Sequence, residues 1–235
     1  MTKKNIKISL IVLTTLLLIT GCQKVDTKKA KDFKESYESL NGKTNAFGQE
    51  HRTVTINENN PFVEVSAEEA VKRIEKGETL YLYIGDKMCP WCRSVIEKAV
   101  EVANKNKIKE ILYIPIWDDN GTEILRDKFV INDDNVLEKI VDGTESYKKM
   151  LELFDEVLDA YTVTRGETTV TTGEKRIFAP TFIYVKNKEA KRITTGISDF
   201  QVDSREELTE AILKDEEEKL TNFFTGATCD DDKKC

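Results

Sequence analysis

Hydrophobic residues in this chain follow two rhythms that alternate along its middle. Short apolar runs, or strict alternation with polar residues, mark strands over 53–57, 62–65, 80–84, 111–114 and 181–185, with 191–195 following the last after a turn at Lys186-Asn187-Lys188-Glu189. Helical spacing takes over elsewhere. Phe33, Tyr37 and Leu40 predict a short helix ending at Asn41-Gly42. Ala70, Val71 and Ile74 lie between a capping box, Ser66 with Glu69, and a stop at Gly77. Val95, Ile96, Val100 and Ala103 share one helical face, as do Met150, Leu151, Phe154, Val157 and Leu158 in a helix expected over 145–161. A second capping box, Ser204 with Glu207, introduces a final helix carrying Leu208, Ala211, Ile212 and Leu213, then Leu220, Phe223 and Phe224. From residue 61 the order is β-α-β-α-β, which predicts an α/β fold whose sheet has crossover helices.

Two stretches interrupt that alternation. Over 118–143, turn signals at Asp118-Asp119-Asn120-Gly121 and Asp133-Asp134-Asn135 flank Val136, Leu137, Ile140 and Val141, whose spacing predicts one short helix before Gly143. The second aspartate cluster lacks the pattern of a calcium loop and is assigned as a solvated turn. Over 162–176, threonines and the turn positions Gly166 and Gly173 predict an inserted β-hairpin. Asp215-Glu216-Glu217-Glu218 is read as a solvated helix face, and His51, the only histidine, as a surface residue.

With 235 residues, 39% of them hydrophobic, the chain can bury the core of one ordinary domain with appendages. Its formal net charge of −7 offers no basic footprint for nucleic acid. The N-terminus changes the picture more. Lys3, Lys4 and Lys7 precede an apolar run from Ile8 to Ile19 that is too short to span a bilayer comfortably. The run ends in Ile19-Thr20-Gly21-Cys22, which resembles the lipobox of bacterial lipoproteins. That resemblance implies cleavage after residue 21 and a lipid on Cys22, hence anchoring on the extracytoplasmic face of the cell membrane. The competing reading is an ordinary secretory signal with an incidental cysteine. The organisation expected is a signal peptide over 1–21, a tether over 22–32, an extension over 33–60, the main domain over 61–225 and an acidic tail over 226–235.

Candidate chemistry sits in Met88-Cys89-Pro90-Trp91-Cys92-Arg93, between the apolar run at 80–84 and the helix that follows. A CxxC at a strand-to-helix junction is the sequence form of a dithiol redox centre. A helix N-terminus favours a thiolate at Cys89, through free backbone N–H groups and the positive end of the dipole. Cys92 falls on the same helical face, within reach for a disulfide, and Pro90 suits the first helical position. Half of a zinc site, or two structural cysteines, are the alternatives. Trp91 is expected either to contact substrate or to cap the sulfurs, and Arg93 to be solvated. Cys229 and Cys235 bracket a polar tail; they form a local disulfide, remain free, pair with another chain, or complete a zinc site with Cys89 and Cys92.

Strand–CxxC–helix, then Phe178-Ala179-Pro180-Thr181 ahead of a hairpin, then a closing helix, resembles the thioredoxin fold over roughly residues 61–225. The resemblance implies a three-layer α/β/α sandwich with a mixed sheet, here carrying an inserted helical segment and a hairpin. It implies a cis bond before Pro180 and substrate contacts at Ala179, Pro180, Pro90 and Trp91. With its lipobox, the whole chain is similar to thioredoxin-like lipoproteins of Gram-positive bacteria, including those described as bacteriocin-transport accessory proteins. The implied activity is thiol–disulfide exchange on exported proteins or peptides by Cys89 and Cys92, without metal or dissociable cofactor, with a membrane electron-transfer partner. The competing class is a non-catalytic accessory module that binds an exported peptide or a transporter. The chain departs from thioredoxin in having Met88 before the first cysteine and Tyr83 where a buried carboxylate is expected six residues earlier. Asp86 and Glu97 are the nearest acids, and neither is assigned that role.

Overall fold

The computed structural model of the chain describes residues 27–227 and Cys235. The N-terminal leader, Cys22 and Cys229 lie outside the described residues. Helix α1 (Thr27–Glu38) leads, beginning inside the expected tether, and buries Ala30, Phe33 and Tyr37. Then come β1 (Phe62–Glu64), α2 (Ala67–Glu75), β2 (Leu80–Gly85), α3 (Pro90–Lys105) and β3 (Ile111–Pro115). A hairpin of β4 (Lys128–Ile131) and β5 (Leu137–Val141) precedes α4 (Glu145–Phe154). A second hairpin, β6 (Ala160–Arg165) and β7 (Thr168–Lys175), precedes β8 (Thr181–Lys186), β9 (Glu189–Thr194) and α5 (Glu210–Thr225).

The central sheet has five strands in the order β1-β3-β2-β8-β9. β1, β3 and β2 run parallel, while β8 and β9 add antiparallel pairs. Alternation along each strand builds two cores. Leu80, Leu82, Ile84, Leu112, Ile114, Ile183 and Val185 face α2 and α4. Tyr83, Ile111, Tyr113 and Phe182 face α1, α3 and α5. Helices on both faces of a mixed sheet give the α/β sandwich expected of a thioredoxin-like chain. The second core is aromatic: Tyr83 stacks between Tyr113 and Phe182, with ring centroids 5.5 and 4.7 Å away.

The structure corrects the sequence in five places. The helix expected before Gly143 is strand β5, so the inserted segment is a hairpin rather than helical. Apolar residues at 136, 137, 140 and 141 fit either period, and the turn decides: Asn132 Oδ1 accepts from the Asp134 and Val136 N–H groups, and Asn135 adopts φ 61°. α4 ends at Phe154 in a 3₁₀ turn, although Val157 and Leu158 still reach the core. Residues 53–57 are extended but pair with no strand among the described residues. Side chains take their backbone bonds instead, with Asn41 exchanging two with Val54, and Glu97 and Glu38 accepting from Thr55 and Ile56. The cap of α5 is Thr209, accepting from Ile212 N–H at 3.3 Å, while Glu206 secures the preceding loop through Val202 and Asp203. Glu216 is not on a solvated face. It lies fully buried in the stripe of Ile212, Leu220, Phe223 and Phe224.

Candidate functional site

The site forms where β2 ends and α3 begins. Cys89 is the N-cap of α3, with extended backbone angles, and its Sγ accepts from Cys92 N–H at 3.4 Å. Pro90 occupies the first turn, where a missing N–H leaves no gap in the ladder. Cys92 has no exposed surface, Cys89 is 5% exposed, and both are free thiols. The Cys92 Sγ accepts from Asp86 N–H at 3.4 Å, and the Cys89 thiol donates to Ala179 O at 3.7 Å.

The two sulfurs differ electrostatically. The hydrogen bond from Cys92, assisted by the N–H groups of Cys92 and Trp91, holds the Cys89 thiol below its ordinary pKa against its burial. Burial pushes Cys92 well above the usual thiol range, and the Cys89 charge adds to this. One sulfur is prepared for attack and the other is kept protonated.

Ala179 and Pro180 arrive from the loop before β8, joined by a cis peptide bond as expected. With Trp91, Phe178, Thr195 and Ile197 they line an open groove of about 300 Å³ beside Cys89. Trp91 is half-buried in its wall. The far wall is the loop after β9, which Lys219 ties down through Ile197 O at 3.0 Å and Asp199 Oδ1 at 2.5 Å. Gly196 permits that close approach: it has φ +70°, and a Cβ there would come within 2.9 Å of Leu220 and 3.0 Å of Val95.

Four residues near the sulfurs carry more than the sequence reading gave them. Arg93 is fully buried rather than solvated. Its guanidinium donates to Arg52 O, Tyr37 O, Lys87 O and Asn41 Oδ1 at 2.7–3.1 Å, stapling the first turn of α3 to the N-terminal extension. Asp86 is 1% exposed and its two oxygens accept from Met88 and Trp117 N–H groups, while burial raises its pKa to about 6. A second opening of about 220 Å³, lined by Glu64, Asp86, Lys87 and Trp117, leads from this carboxyl to solvent. Tyr83 and Tyr37 are buried with their hydroxyls 2.9 Å apart. Asp86 was legible as an acid between strand and CxxC, and Glu97 is excluded because it is exposed and bonds Thr55. The contacts of Arg93 lie up to 56 positions away and left no local signal.

The other expected residues lie apart. Cys235 donates its N–H to Ile193 O at 2.9 Å and is disulfide-bonded, so it is not free to ligate zinc with Cys89 and Cys92. It borders a cavity of about 390 Å³ that shares Phe178, Thr195, Asp199 and Lys219 with the groove. Among the described residues no group of three or more His, Cys, Asp or Glu is arranged to hold a metal ion, and no helix is long and apolar enough to cross a membrane. His51 is half-buried and takes no part in the site. No family model and no curated protein matches the chain.

Proposed function

We propose that the protein is a thiol–disulfide oxidoreductase acting on exported proteins or peptides, held at the extracytoplasmic face of the membrane through Cys22. The observation that carries this reading is the asymmetry of two adjacent free thiols, Cys89 lowered and Cys92 raised, beside an open groove at Ala179-Pro180. The Cys89 thiolate attacks one sulfur of a substrate disulfide, and the other substrate sulfur leaves as a thiolate and takes a proton. The new Cys89–substrate disulfide lies along Ala179-Pro180, whose backbone offers strand-like pairing to an extended chain. Cys92 then gives its proton to Asp86, which is ionised above about pH 6 and drains to solvent through its own opening. The resulting Cys92 thiolate attacks the Cys89 sulfur and expels the second substrate thiolate. The substrate gains two electrons, and the protein is left with a Cys89–Cys92 disulfide that a membrane dithiol partner reduces. In reverse, the same steps oxidise a substrate dithiol, and the relative potentials select the direction.

Cys89→Ser tests the reading. Reduction of a peptide disulfide with a dithiol as electron donor falls at least about 1000-fold, close to the uncatalysed rate, with the circular dichroism spectrum unchanged. Full activity in this variant eliminates exchange chemistry and leaves the accessory module. A glutathione titration read by alkylation adds a second check, since a pair that stays oxidised below about −300 mV is structural.

A further inference from the structure

The inserted segment over 118–143 holds none of the reacting groups, yet it reaches the loop that carries Ala179 and Pro180. Residues 176–178 fall between β7 and β8, so their main-chain groups need partners other than a strand. Ile177 finds both of its partners in side chains. Its N–H donates to Tyr147 Oη, on α4, at 3.2 Å, and its carbonyl accepts from Arg126 Nη1 at 3.4 Å. One residue earlier, Arg176 Nη1 donates to Asp127 O at 2.6 Å. One residue later, Phe178 O accepts from the Thr181 hydroxyl at 2.7 Å. Local sequence prepares this contact. Asp118 Oδ1 accepts from the Asn120 and Thr122 N–H groups and turns the chain, so that Glu123 bridges back to Trp117. Glu123 then stands three residues before Arg126 and holds its guanidinium through both oxygens, the shortest contact being 2.8 Å. Little of either side chain is exposed, 8% of Arg126 and 11% of Glu123. Gly143 admits the packing: a Cβ there would lie 2.8 Å from Tyr147 Cδ1 and 3.0 Å from Asp127 N. A buried pair of this kind is costly to desolvate, and apolar side chains would hold the fold as well. What the guanidinium adds is a fixed donor direction.

We propose that Arg126, held by Glu123, and Tyr147 are positioning residues that clamp Ile177 and so fix the loop on which an extended substrate pairs. This rests on the exchange reading of the CxxC. Ala179 lies two residues beyond the clamp, and its carbonyl stands 3.7 Å from Cys89 Sγ. With Ile177 and Phe178 both tied, the loop is ordered before a substrate arrives, and binding does not have to order it. The inserted segment thereby sets affinity for the peptide, while Cys89 and Cys92 set the chemistry.

The test separates affinity from chemistry. Tyr147→Phe keeps the ring against Gly143 and removes only the acceptor. Glu123→Gln combined with Arg126→Met removes the donor without orphaning the Glu123 carboxylate. Both variants are assayed at about pH 8, above the titration of Asp86, whose pKa the Glu123 charge helps to raise. In each, the KM for a peptide disulfide rises about tenfold with kcat kept within about twofold, while Cys89 reacts with iodoacetamide at the wild-type rate. A wild-type KM in both variants overturns the clamp, as does a fall in kcat at unchanged KM. Equal slowing of exchange and of iodoacetamide alkylation also overturns it, because general packing damage has that signature. One measurement needs no variant. The Ile177 amide of the wild-type protein exchanges with deuterium far more slowly than an open loop, and an unprotected amide overturns the proposal even if neither variant folds. If the wild-type chain reduces no peptide disulfide, the exchange reading fails, and the Ile177 amide still decides whether the clamp exists.

Discussion

Two regions of this molecule bury an entire ionisable group, and they do it in opposite ways. At the first turn of α3, Arg93 is surrounded by four oxygen acceptors drawn from three separate segments. In the middle of α5, Glu216 is equally hidden, and neither carboxyl oxygen has a hydrogen-bond partner among the described residues. Lys98, Arg52 and Lys219 are near enough to pull its pKa down, but burial outweighs them and with Asp215 raises it to about 8. Arg93 keeps its charge because the fold supplies partners. Glu216 keeps its place by keeping its proton. Asp86 stands between them, with two backbone donors and a pKa of about 6. Burial by itself says little about function; the number of partners separates a staple, a switchable acid and a neutralised one.

Removing the partners breaks the comparison hardest. Arg93→Met removes the guanidinium donor from three carbonyls and from Asn41 Oδ1, which keeps only its bond from Val54 N–H, and thermal unfolding should show a loss of about 3–5 kcal/mol, or roughly 10 °C. A loss below about 1 kcal/mol would mean that water replaces the guanidinium.

Glu216→Leu acts in the other direction. The folded pKa of about 8 lies above the ordinary 4.5, so between these values the folded state holds a proton that the unfolded chain has released. Wild-type stability therefore falls as pH rises through this window and is lowest above it. Denaturant unfolding should show Glu216→Leu more stable by about 2 kcal/mol near pH 9, with the gain shrinking towards pH 5. A gain independent of pH would assign the effect to packing.

Asp86→Asn should change stability least, by about 1 kcal/mol or less, because one new amide oxygen still accepts a backbone bond. Its signature is kinetic. Wild-type resolution of a mixed disulfide should slow as pH falls through about 6, where Asp86 takes its proton. In Asp86→Asn that limb disappears and the rate is low throughout.

The five-stranded sheet and the dithiol were legible because both are local signals. Alternation at 80–84 and 181–185 assigns each side chain to a face, and Cys89-Pro90-Trp91-Cys92 carries its chemistry in four adjacent residues. Ala179-Pro180 was found through its order relative to that motif. What escaped is long-range or ambiguous. Leu137 and Ile140 satisfy the helical period as well as a strand in a two-stranded hairpin, so only the Asn132 turn could decide. Glu216 sits in an acidic run whose neighbours are solvated, and the apolar stripe at 212 and 220 was the overlooked sign that it faces inward. Tyr37 and Arg93 are joined by tertiary packing, which no window of sequence contains.

The Arg93 staple also redraws the unit of folding. Three of its four acceptors, Tyr37 O, Asn41 Oδ1 and Arg52 O, come from residues upstream of β1. A boundary at residue 60, where the order of elements along the sequence starts the α/β domain, would pass through a hydrogen-bonding site and strand a cation beside the dithiol helix. The extension is accordingly an integral part of the folded body that carries the dithiol. Dissection, fusion or circular permutation of this protein has its natural seam ahead of α1.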